Sequence, residues 1–61
     1  MELLTVEQVA ERLGTGVRFV RRLVAEHRIT YIKVGKFIRI AKSDLEDFID
    51  SGRREPPGDA A

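Results

Sequence analysis

A small α+β domain is what this sequence predicts, built from two short helices, a β-hairpin and a closing helix. Three observations predict it. Thr5-Val6-Glu7-Gln8 and Ser43-Asp44-Leu45-Glu46 have the form of capping boxes, and apolar residues at helical spacing follow each. Between them, two runs of β-branched and aromatic residues flank Gly35-Lys36. Finally, the cations are gathered. From Arg18 to Lys42 there are eight basic residues against the single acid Glu26, a balance of +7. The rest of the chain holds three basic and nine acidic residues, a balance of −6, so the formal net charge of +1 hides two opposed halves. That division suits one face made for a polyanion and another kept away from it.

The first helix should run from about Val6 to Leu13. Thr5 caps it, and Val6, Val9, Ala10 and Leu13 form one stripe. Gly14 sits where a left-handed closing residue belongs. Ala10 is small and inward-facing, which lets a neighbouring helix cross closely.

A second helix follows from about Val17 to Glu26 or His27, capped by Thr15 or by Gly16. Its apolar stripe is Val17, Val20, Leu23 and Val24. At 100° per residue, Arg18, Arg21, Arg22 and Ala25 take the opposite side. Three guanidinium groups without an acid, beside one small residue, make a face that can approach a surface closely. Arginine forks onto guanine O6 and N7 or clamps phosphate oxygens, which lysine does less well. Phe19 lies at the edge of the buried stripe and is expected to pack beneath the hairpin. His27 is read as a surface residue. Two short helices joined by a glycine-bearing turn are the helix-turn-helix signature, the second helix being the reader.

Residues 29–34 and 37–40 read as the hairpin strands around Gly35-Lys36. Ile32, Val34, Ile38 and Ile40 are expected on the face that packs on the helices. Lys33 and Arg39 would then share the free face, with Lys36 at the tip. The closing helix, capped by Ser43, carries Leu45, Phe48 and Ile49 inward and Asp44, Glu46, Asp47 and Asp50 elsewhere. Nucleic acid repels such an acidic surface, which places this helix behind the binding face. Ser51-Gly52 ends the helix. Residues 53–61 contain Pro56-Pro57-Gly58 and no apolar periodicity, so a domain over 1–52 and a disordered tail over 53–61 are expected.

Composition removes several functions. With 61 residues, the chain is near the lower limit for folding without staples, and it has no cysteine and one histidine. No thiolate or histidine metal site is expected, nor a catalytic residue, a cofactor or a small-molecule ligand. Gly14 and Gly16 are read as a turn and not as a phosphate loop, because no strand precedes them. No apolar run approaches the roughly 20 residues of a membrane span. Met1-Glu2-Leu3-Leu4 lacks the basic start of a secretory signal, so a soluble, cytoplasmic and nucleoid-associated protein is expected.

The chain also resembles a family. The segment from Leu3 to Gly14, reading LLTVEQVAERLG, looks like the opening of the excisionase-type winged helix-turn-helix domains, relatives of the MerR group. Lys33-Val34-Gly35-Lys36 followed by Ile38-Arg39-Ile40 is similar to their wing, and residues 43–49 are similar to their closing helix. The resemblance covers about residues 3–50. It implies a non-catalytic double-stranded DNA-binding module of bacterial phages, integrative plasmids and their hosts, which bends attachment-site DNA and biases a partner integrase toward excision. It implies that Thr15, Gly16, Arg18, Arg21 and Arg22 belong to the major-groove reader. Lys33, Lys36 and Arg39 would form the wing contact to the minor groove or backbone. On this reading Arg21→Ala or Arg22→Ala relaxes base preference, and Lys36→Ala weakens all sequences equally. One monomer reads few base pairs, which favours cooperative self-association on repeated sites. A transcriptional regulator of the same fold, or an antitoxin-like protein-interaction module, stands as the alternative.

Overall fold

In the computed structural model, residues 1–54 are described. Strand β1 (Leu3–Leu4) leads into helix α1 (Val6–Leu13), then α2 (Val17–Ala25), β2 (Ile32–Val34), β3 (Phe37–Ala41) and α3 (Lys42–Ser51). This is the expected small α+β, winged helix-turn-helix arrangement, with one added strand. The strands form a three-stranded antiparallel sheet in the order β1-β3-β2. A two-residue strand such as β1 carries no periodicity that could announce it. It exists because the long-range partner β3 offers a ladder edge.

The start of α1 is as the sequence predicts. Thr5 accepts from the Gln8 amide at 3.0 Å, and the Gln8 side chain accepts from the Thr5 amide at 2.9 Å. Gly14, at φ 69°, closes the helix, and the Thr15 amide returns to the Ala10 carbonyl at 2.9 Å. The second helix ends by the same device on a different residue. His27 takes φ 55°, its amide donates to Val24, and the Arg28 amide donates to Leu23 at 2.8 Å. His27 is a surface residue whose backbone supplies a left-handed turn that an L-residue adopts at some cost, while its ring stacks on Tyr31 at 6.1 Å between centroids.

The second capping box does not form. Helix α3 starts at Lys42 with Ala41 as its cap, and no side chain bonds at that cap. Ala41 is still paired with Leu3, and the Lys42 amide donates to the Glu2 carbonyl at 2.9 Å. The strand thus runs straight into the helix, and Ser43 falls inside the first turn, past the position from which it could cap. Thr5→Ala should accordingly cost about 1 kcal/mol in urea denaturation, while Ser43→Ala should change stability by less than about 0.5 kcal/mol. Equal losses would contradict these two helix starts.

The core gathers Leu4, Val9, Ala10, Val20, Leu23, Ile29, Ile40 and Leu45, with Val6, Leu13, Val17, Val24, Tyr31 and Phe48 packed on it. Helices α1 and α2 give their predicted stripes, α3 gives Leu45 and Phe48, and the sheet gives Leu4 and its partner Ile40. Ile49, expected inward, is 49% exposed. Phe19 is 44% exposed and outside the core cluster, which corrects the expectation that it packs beneath the hairpin. On α2 it lies about 160° from Arg21, so it occupies the flank away from the hairpin. The tail expectation falls largely on residues 55–61, outside the described residues. Before them, α3 ends with Gly52 as its cap, and the Arg53 amide donates to Asp50.

Candidate nucleic-acid interface

The surface of interest starts with α2. Val20 and Leu23 are fully buried, which fixes how the helix is rolled and sends Arg18, Arg21, Arg22 and Ala25 to solvent, as predicted. Gly16 is the N-cap and Thr15 is not; the Thr15 hydroxyl donates to the Gly16 carbonyl at 3.4 Å. Both residues are exposed at the head of the helix, where no cap side chain accepts from the first turn.

The hairpin is closed by Gly35-Lys36, with Gly35 at φ 62°. Glycine at the first central position, followed by a residue with ordinary φ, is the form of a type II′ turn, which suits the twist of a two-residue hairpin. A two-residue loop also dictates register. Val34 faces Phe37, Lys33 faces Ile38, and Ile32 faces Arg39. Cross-strand partners share a face, so Lys33 lies with Ile38 and Ile40. Arg39 lies on the other face with Ile32, Val34 and Phe37. This corrects the expectation that Lys33 and Arg39 share the free face and that the four aliphatic residues share the inner one. Because partner numbers sum to an odd value, residues of like parity on the two strands must point oppositely.

The outward face therefore combines charge with apolar surface. Val34 is 47% and Phe37 54% exposed, and the Arg39 guanidinium lies 5.4 Å from the Phe37 ring centroid. Arg39 is half-buried, and its Nη1 donates to the Ile38 carbonyl at 2.8 Å. Cation–π contact and a backbone acceptor hold its charge in place without neutralising it.

Helix and hairpin meet at an open cleft of about 450 Å³. Arg21 and Val24 of α2 form one wall, Lys36, Phe37, Ile38 and Arg39 another, and Thr5, the cap of α1, completes it with Val6 and Glu7. Three cations thus face a common space with one acid, Glu7. None of the α3 carboxylates lines it. Asp44 and Asp47 instead border a separate hollow beside Arg28, Ile29 and Thr30.

The remaining cations divide by partner. Arg22 Nε lies 3.9 Å from Glu26, Arg28 lies 3.6 Å from the same carboxylate, and Lys42 lies 4.0 Å from Glu2. All three pairs are exposed and hold their groups weakly. Arg18, Arg21, Lys33 and Lys36 have no ion-pair partner among the described residues. The sequence reading missed the part of Phe37 and the α1 start in this surface. The hairpin register held the signal for Phe37, whereas the placing of α1 against the wing follows only from packing.

Among the described residues, no group of histidine, cysteine or carboxylate side chains could hold a metal ion, and no helix is long and apolar enough to cross a membrane. A family model described as a helix-turn-helix domain matches residues 3–53. No curated protein and no solved structure matches the chain.

Proposed function

The chain belongs to the helix-turn-helix domain family, and from that premise we propose that it acts as a sequence-specific excisionase-type factor on duplex DNA. DNA is its partner by virtue of that domain. The finer role rests on the resemblance of residues 3–50 to excisionase-type domains. The observation that carries the DNA reading is the convergence of Arg21 with Lys36 and Arg39 at one cleft, apart from every carboxylate of α3. Helix α2 enters the major groove with Arg18 and Arg22 toward the base edges, and the wing follows the neighbouring backbone or minor groove. The protein contributes no chemistry of its own; bending the attachment site would direct a partner integrase, and copies would occupy adjacent repeats.

Selection of bound duplexes from a random pool, then footprinting and bend measurement on the attachment region, tests this. Protection of repeats beside the attachment site with a bent duplex is expected. Protection of a promoter alone would favour a transcriptional regulator, and a stable protein complex without DNA affinity would favour an interaction module. At residue level, Arg22→Ala should lose about 1–3 kcal/mol on the selected duplex and far less on a scrambled one. Its exposed pair with Glu26 is too weak to keep Arg22 from a guanine.

A further inference from the structure

The sequence groups Arg21 with Arg18 and Arg22 as readers, but the structure separates it from them. Taking 100° per residue, Arg21 stands about 60° from Arg18 and 100° from Arg22, on the flank nearest Val24. That flank is the wall of the cleft, which Arg21 and Val24 share with the wing. Arg18 and Arg22 do not line it. We infer that this cleft seats one backbone phosphodiester of the bound duplex, held jointly by Arg21, Lys36 and Arg39, so that Arg21 positions the protein and does not read a base. The inference rests on the DNA-binding reading above and assigns the roles within it.

Three observations support the assignment. The cleft is concave, whereas base edges are met by a convex helix face pushed into the groove. Its cations come from two elements distant in sequence, and among the described residues none of the three forms an ion pair with a carboxylate. Arg39 is held by Phe37 and by the Ile38 carbonyl, so one of the three charges is set before any ligand arrives. Glu7 also lines the cleft and opposes an anion there. It therefore tunes the grip downward, and its removal should strengthen binding.

The test measures binding by fluorescence anisotropy at several KCl concentrations, on a duplex selected from a random pool and on its scrambled counterpart. Arg21→Ala should weaken both duplexes by the same factor, about tenfold. It should also reduce the slope of log K against log salt by about 0.9, as Lys36→Ala does. Arg21→Lys should restore both within about threefold, because a phosphate accepts a point charge whereas a bidentate base contact does not. Glu7→Gln should tighten both. A loss confined to the selected duplex, not rescued by lysine, overturns the inference and leaves the DNA reading standing. Failure of the unaltered protein to bind either duplex overturns both. Inorganic phosphate is titrated without DNA at fixed ionic strength; saturable, Arg21-dependent binding at low concentration would identify free phosphate as the occupant and overturn the assignment to DNA.

Discussion

Raising salt from 50 to 200 mM should weaken binding to duplex DNA by about 10²–10³-fold, with log K falling against log salt at a slope of about −4 to −5. On the proposed function, the candidates to supply that slope are the cations that no internal carboxylate holds firmly. Arg18, Arg21, Lys33 and Lys36 have no internal carboxylate partner among the described residues, and Arg39 is held only by an aromatic ring and a carbonyl. Arg22 is tied only by an exposed contact of 3.9 Å. Arg28 and Lys42 are paired and lie away from the cleft. Six candidates at about 0.9 per phosphate set the upper bound, and Lys33, on the hairpin face opposite Arg39, lowers it. Anisotropy on one labelled duplex across a KCl series measures the slope. A value shallower than about −2 would mean that most of these cations never touch the backbone, and the proposed face would be wrong.

The second large effect concerns the fold. Ile40→Ala should leave the domain mostly unfolded at room temperature. Ile40 has no exposed surface and pairs with Leu4 across the sheet. It belongs to the cluster that joins α1, α2 and α3. Truncating such a side chain costs about 2–5 kcal/mol, and a core of this size rarely supplies more than about 3–5 kcal/mol in all. Ile49→Ala, at a site 49% exposed, should change stability by less than about 0.5 kcal/mol. Circular dichroism with urea denaturation separates the two. A cooperative, near-native transition for Ile40→Ala would show that the sheet is not what anchors the wing to the helices.

Both helices of the helix-turn-helix were readable almost to the residue, because Thr5 with Gln8, Gly14, and the two apolar stripes are local signals that packing confirmed. The hairpin was readable as an element and misread as a surface. Its turn, Gly35-Lys36, already determined that Lys33 and Arg39 point oppositely, but hydrophobic alternation along each strand suggested otherwise. There the free face keeps Val34 and Phe37 beside Arg39. Ser43 misled for a different reason: the motif is local, but Leu3 and Glu2 hold Ala41 and Lys42 from a distance and start the helix sooner. The division between Arg21 and its two neighbours on α2 could not be read from sequence. It depends on where α1 and the wing come to rest against that helix, a property of three elements packed together.

Strand β1 has a consequence for the solution behaviour of the protein. It lies along the margin of β3 that β2 leaves open, and it is only two residues long. Without it, Ile40 and Ala41 would join Phe37–Arg39 in an unoccupied ladder along the whole of β3, next to the greasy outer surface of the hairpin. Such a margin is a template onto which another chain can add, the first step toward fibrous polymers. The opening residues thus act as a shield against self-templating, and preparations trimmed ahead of Thr5 should cloud on concentration where the intact chain stays clear.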